Sequence, residues 1–235
     1  MIPLPLNDNI RRTTFWFSTL ALITLNCYVF WLELSLDGQV DRLVFLYGVV
    51  PARYTTTAGL AILTPAGFLV PIFASMFLHA GWLHLVGNML FLYVFGRSVE
   101  DRFGHFKFLF LYFASGFAGA LLHIYLNAGS RMPTIGASGA IAGVLGAYFI
   151  TSPRAWIKLT IFPLIFWTFE LPAMLVLGYW FLIQFLQGYQ MLAIENATRG
   201  GGTAWWAHVG GFVTGMLLAM MLEPRGPRAI RLSDS

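Results

Sequence analysis

Ser138 in Gly136-Ala137-Ser138-Gly139, His84 and Asn88 in His84-x-x-x-Asn88, and His208 in Ala207-His208-Val209-Gly210-Gly211 are polar side chains set in three separate apolar stretches. Polar groups at membrane depth are expensive and mark a functional site by default. A serine hydroxyl beside an imidazole has the parts of a nucleophile and its general base, and two further side-chain donors have the parts of an oxyanion site. That chemistry is acyl transfer to a serine. Each part also has a plainer reading. Gly-x-Ser-Gly in an apolar helix is most often a packing motif with its hydroxyl bonded back to its own helix. It is not the Gly-x-Ser-x-Gly elbow, because Ala140 takes the last place. His208 alone reads equally well as a satisfied bundle histidine, and His84 with Asn88 as a structural pair. Their conjunction on three elements at one depth is what favours catalysis.

The elements that must position them are membrane helices. The 235 residues are 58% hydrophobic and only 10% charged, with a mean hydropathy of +0.72, which excludes an ordinary soluble domain. About 20 apolar residues cross the hydrocarbon core. Apolar runs of that kind cover residues 13–32, 54–96, 108–130, 132–153 and 171–194, and a sixth, rich in Gly, Trp and Met, covers 200–222. The run from 54 to 96 is long enough for two crossings, and charge placement decides against it. With six spans and a cytoplasmic N-terminus, 10 of the 14 Lys and Arg fall on the cytoplasmic side and only Arg42, Arg53, Arg131 and Arg199 outside, as the positive-inside rule asks. One span over 82–96 is therefore expected. The stretch before it, interrupted by Pro65, Gly67 and Pro71, is read as a partly embedded external loop.

The expectation is thus an all-α membrane protein with six transmembrane helices. Residues 1–12 form a cytoplasmic tail, 13–223 one membrane domain, and 224–235 a second cytoplasmic tail. The net charge of +4 arises from cations flanking spans, so it gives no nucleic-acid reading. The single cysteine, Cys27, supports neither a disulfide nor a cysteine metal cluster.

In this topology the second, fourth and sixth spans all run inward from the outer face. His84, Ser138 and His208 each fall near the start of one of them, at similar shallow depth, since a helix advances about 1.5 Å per residue. His84 and Asn88, four apart, share one helix face. Gly136, Gly139, Gly143 and Gly146, with Gly210, Gly211 and Gly215, let the fourth and sixth helices pack closely. His79, His105 and His123 are taken as structural or interfacial, with His79 near enough to act as an accessory. Glu170 is read as a loop or interface position, and Trp82, Trp180, Trp205 and Trp206 as part of an interfacial aromatic belt.

Four segments together resemble the rhomboid intramembrane proteases: Phe77-Leu-His79-Ala-Gly-Trp-Leu-His84-Leu-Val-Gly-Asn88-Met, Gly96-Arg-Ser-Val-Glu100-Asp-Arg-Phe-Gly104, Gly136-Ala-Ser138-Gly139 and Ala207-His208-Val-Gly-Gly-Phe-Val-Thr-Gly215. The resemblance implies a rhomboid-like bundle in which Ser138 is the nucleophile and His208 the general base of a dyad. His84, Asn88 and the Ser138 backbone N–H would then be oxyanion donors. It implies no metal or other cofactor. Its substrates are transmembrane proteins cleaved near the outer face of the lipid bilayer, and its setting is a bacterial inner membrane with both termini in the cytoplasm. The segment before the second span looks like the family's embedded first loop, and residues 171–191 like its lateral gate. Some members carry a tyrosine four residues after the serine, stacked on the histidine; here that position is Ala142, so Trp205, Trp206 or a water must orient His208. The absence of an acidic residue at this depth favours a dyad over a triad. The alternatives are a non-catalytic relative that binds membrane-protein clients and a transporter or metal binder using His79, His84 and His208. Zinc and aspartyl intramembrane proteases lack their His-Glu-x-x-His and Gly-x-Gly-Asp motifs here.

Overall fold

The computed structural model describes residues 2–36, 38–162, 164–195 and 204–222. Helices dominate it. After a first strand, β1 (Ile2–Asp8), come α1 (Phe17–Leu34), α2 (Val40–Tyr47), α3 (Ala52–Thr55), α4 (Thr57–Ile62) and α5 (Pro65–Ala74). A short 3₁₀ turn at Ser75–Phe77 leads to α6 (Trp82–Phe91), which runs through a π-helical turn over Leu92–Gly96 into α7 (Arg97–Phe103). Next are α8 (His105–Leu126), α9 (Ser138–Thr151), a hairpin of β2 (Trp156–Phe162) and β3 (Leu164–Pro172), α10 (Ala173–Glu195) and α11 (Trp205–Met221). α1 and α8 are each long and apolar enough to cross a bilayer, and α9 and α11 are shorter apolar helices. The α5 segment and the α6–α7 segment meet at a bend of 87°.

The core is built around α9. Every residue from Gly139 to Tyr148 is buried, as expected for a helix that is apolar all round and enclosed by others. α8, α9 and α11 pack on one another, and glycine is what permits their separation. A Cβ on Gly211 would collide with the Gly139 carbonyl oxygen, and one on Gly215 with that of Gly143. Apolar side chains supply no drive to associate in lipid, so such close backbone packing takes its place.

α1 has no side-chain cap of its own, and α7 supplies one from 82 residues away. The Ser18 and Thr19 N–H groups donate to the two oxygens of the buried Glu100 carboxylate, each at 2.7 Å. Thr13 and Thr14 N–H donate to Asp101 Oδ1 at 3.1 and 2.8 Å. The orphan amides of a helix start, and its positive dipole end, are thereby satisfied by neighbouring carboxylates.

Two expectations are corrected. The protein is not all-α: β1, β2 and β3 form an antiparallel sheet in that order, pairing Ile2 with Phe162, Asp8 with Ile157, and Trp156 with Pro172. Residues 2–8, read as part of a tail, are one of its two edge strands. Pro3 and Pro5 fit there because an edge strand can turn a missing N–H away from its partner. The strand is anchored by Asp8, whose Oδ2 accepts from Ser98 Oγ at 2.6 Å and Tyr148 Oη at 2.9 Å, beside its ion pair with Arg12. Secondly, the stretch before α6 is helical, and Pro65 starts a helix where it was read as a break. Thr64 Oγ1 accepts from Gly67 N–H at 3.0 Å with Pro65 in the first turn, where a proline's lack of an N–H costs nothing. Pro71 lies inside α5. The expected tail at 224–235 lies outside the described residues.

Candidate active site

Ser138 is the first residue of α9, and His208 lies in the first turn of α11. His208 Nε2 and Ser138 Oγ are 2.8 Å apart, within the 2.6–3.2 Å that direct proton transfer requires. The imidazole is buried and the serine partly so. The α9–α11 contact that places them runs at glycine distance immediately below, where Gly211 faces the Gly139 carbonyl.

The loop entering α9 is fixed on both sides. Val49 and Thr134 exchange backbone hydrogen bonds at 3.0 and 2.8 Å, Ser130 O accepts from Ala52 N–H at 2.8 Å, and Gly136 N–H donates to Ser75 O at 2.8 Å. His123, taken from the sequence as structural, holds the same loop through Thr134 Oγ1 at 2.9 Å. Gly136 has φ +122°, a conformation open to glycine and strained for other residues. A Cβ there would also lie 2.7 Å from His84 Cε1 and Nε2 and 3.7 Å from Asn88 Nδ2. The turn before Ser138 therefore touches the very imidazole and amide singled out on α6.

His84, Asn88, Ser138 and His208 line one cleft of about 570 Å³, together with Phe91, Leu145, Trp180 and Gln184. The Ala80 N–H donates to His84 Nδ1 at 3.4 Å, which leaves the ring proton on Nε2, the edge beside Gly136. Asn88 Nδ2 donates to His79 Nε2 at 3.0 Å, and His79 Nδ1 donates to the Phe77 carbonyl at 3.3 Å. One Asn88 amide hydrogen is used by that bond and the second is free of it. His79 is thus a buried support for Asn88. Its own backbone N–H donates to the buried Glu33 carboxylate, at 3.2 Å to each oxygen. The arrangement joins a hydroxyl, an imidazole acceptor and two polarised N–H donors around one open volume. Such a set suits addition of the hydroxyl to a carbonyl.

The structure adds two neighbours of His208 that the sequence reading did not select. Gln184 of α10 is buried and contacts His208 Nδ1 through Oε1 at 2.7 Å. Trp180, one turn earlier, lies against the same imidazole with ring centroids 5.8 Å apart and planes at 36°. Trp180 therefore belongs to the site and not only to an interfacial belt. Trp205 also meets the ring, edge-on at 6.2 Å, whereas Trp206 packs against Phe185. A glutamine inside an apolar run, four residues after a tryptophan, was the available signal, because residues at that spacing share a face. Among the described residues no group of three or more His, Cys, Asp or Glu side chains is placed to hold a metal ion.

Residues 67–225 match the Rhomboid domain. The chain is 35% identical over 152 residues to "Rhomboid protein 1, mitochondrial" of Saccharomyces cerevisiae, an alignment covering 63% of this chain and 40% of the yeast protein. It is 30% identical over 153 residues to "RHOMBOID-like protein 6, mitochondrial" of Arabidopsis thaliana, covering 64% of this chain and 43% of the plant protein. The chain thus spans about two fifths of the length of these two relatives. Against "Rhomboid protease AarA" of Providencia stuartii the identity is 30% over 239 residues, covering 91% of this chain and 76% of that one.

Proposed function

The chain belongs to the rhomboid family of integral membrane proteins, and from that premise we propose that it is an intramembrane serine endopeptidase. The observation that carries the reading is the 2.8 Å approach of Ser138 Oγ to His208 Nε2 in a cleft that also holds His84 and Asn88. A bundle needing only helix packing has no use for that convergence. The relative from Providencia stuartii that matches most of both chains is named a protease, which supports the same reading.

The mechanism follows from the atoms. His208 Nε2 takes the hydroxyl proton as Ser138 Oγ attacks the carbonyl carbon of a peptide bond, and the carbonyl oxygen becomes an oxyanion. His84 Nε2–H, the second Asn88 amide hydrogen and the Ser138 backbone N–H are the donors to it. Each such donor is worth about 3–4 kcal/mol in comparable sites. Collapse breaks the C–N bond, with the proton on His208 passing to the leaving amine. A water then gives a proton to His208 and its oxygen to the acyl carbon, which releases the new carboxyl end and restores the Ser138 hydroxyl.

The substrates are transmembrane segments of membrane proteins, cut near the outer face. A membrane helix has every backbone group internally bonded, so the segment must unwind locally before its carbonyl can enter the cleft. The basic-residue partition supports both termini on the cytoplasmic side, and the reading sets the chain in a bacterial inner membrane. Purified protein incubated with a model transmembrane substrate, beside Ser138→Ala, tests the proposal on a gel. Cleavage products should appear with the parent and disappear with the variant. Equal cleavage by both, or none by a folded parent, overturns it.

A further inference from the structure

We propose that Gln184 is a positioning residue for His208: its amide oxygen holds the imidazole in the one tautomer and orientation that present Nε2 to Ser138. The proposal rests on the protease reading for its consequence, though not for its geometry. Gln184 Oε1 lies 2.7 Å from His208 Nδ1, and the glutamine is 6% exposed. An amide oxygen only accepts, so Nδ1 must carry the ring proton and Nε2 must be bare. A bare Nε2 is what can accept from Ser138 Oγ at 2.8 Å. The two hydrogen bonds therefore form one chain, Gln184 to His208 to Ser138, in which each link sets the proton of the next. When the serine proton moves to Nε2, the Nδ1–H still donates to Gln184 and the imidazolium stays fixed. Trp180, on the same face of α10, lies against the ring at a tilt, so this helix both packs on the base and orients it. A tyrosine from α9 has no place here, since position 142 is a buried alanine.

The alternative role is packing: a buried glutamine that fills space between α10 and α11. Methionine separates the two roles, being unbranched, of similar length, helix-compatible and without a strong acceptor. Glutamate restores an acceptor at the same reach. The test measures kcat, KM and thermal midpoint for the parent, Gln184→Met and Gln184→Glu on a transmembrane substrate. Alongside, ¹⁵N NMR of histidine-labelled parent and Gln184→Met reads the His208 tautomer without substrate. Gln184→Met should lower kcat by about 10- to 100-fold, the usual effect of losing an orienting partner, with KM and thermal midpoint close to the parent's. Gln184→Glu should keep kcat within about threefold of the parent's, as restored orientation requires. The parent spectrum should show His208 protonated on Nδ1, and Gln184→Met should lose that single form. A Gln184→Met protein with kcat near the parent's, or a parent imidazole protonated on Nε2, overturns the proposal. A parent with protonated Nδ1 that cleaves nothing counts against the protease reading and leaves the orientation standing.

Discussion

Replacing Gly211 with alanine should cut turnover by about 10²-fold in a protein that still folds. A Cβ on Gly211 would lie well inside 3.0 Å of the Gly139 carbonyl oxygen, closer than real Cβ atoms come, and 3.4 Å from the Ala142 Cβ. The obstacle is backbone, so α9 and α11 must part by about an ångström to relieve it. Gly139 follows Ser138, and Gly211 lies one helical turn below His208, so the separation opens at the level of the site. A 2.8 Å approach of Oγ to Nε2 lengthened by that amount passes beyond the transfer range of about 3.2 Å. A misplacement of this size costs on the order of 10²-fold in rate. The overpacked interface should lose about 1–3 kcal/mol of stability. Turnover on a transmembrane substrate and the thermal midpoint, measured on the same detergent preparation, separate the two effects. Gly178→Ala on α10 is the control, because its Cβ would meet only Phe149 Cε2, at 3.8 Å. A folded Gly211→Ala protein with turnover within about threefold of the parent would refute the argument that glycine packing sets the Ser138–His208 distance.

Gly136→Ala adds a strained φ, worth about 1–3 kcal/mol, and pushes the His84 ring from a 2.7 Å approach. Its kcat should fall while substrate affinity holds, and a fall in affinity alone would speak against His84 as an oxyanion donor. Asn88→Ala should lower turnover by about 10²–10³ with little change in KM, since a donor used only in the transition state does not hold the ground state. A folded Asn88→Ala within a few-fold of the parent would leave that role to His84 and the Ser138 N–H. For topology, single cysteines at Arg131 and Arg154, both exposed, are introduced on a Cys27→Ala background, because Cys27 is itself exposed. Impermeant thiol reagents should reach position 131 from outside and position 154 only from the cytoplasm; the reverse pattern would invert the assigned orientation.

Much of the site was legible from a conjunction: each polar residue inside an apolar run had an innocent explanation alone, but their meeting at one depth on three elements did not. Ser138, His208, His84 and Asn88 come together as their placement near the starts of three helices suggested. Glu100 and Asp101 were visible only as part of a family-like segment; their work is to satisfy backbone amides of residues 13–19, a pairing across more than 80 positions that no local pattern encodes. The sheet was hidden for a different reason. Its first edge strand carries two prolines within Ile2–Asp8, which argue against a strand unless the edge position is known, and its hairpin lies between apolar runs long enough to absorb attention as spans. Pro65 read as a break because proline ends a helix more visibly than it begins one, although Thr64 and Gly67 supplied the matching start. Gln184 and Trp180 acquire meaning only from the facing imidazole, which the packing of α10 against α11 brings to them.

The central claim, that Ser138 is a nucleophile activated by His208, is tested most directly with a fluorophosphonate probe followed by intact-mass and peptide analysis. Attack of Oγ on phosphorus with loss of fluoride requires the serine proton to be taken, so the reaction reads the pair without any substrate. One adduct should form on the parent, on the peptide containing Ser138. It should vanish in Ser138→Ala and fall sharply in His208→Ala. An adduct on another residue, or undiminished labelling of Ser138 in His208→Ala, would contradict the account.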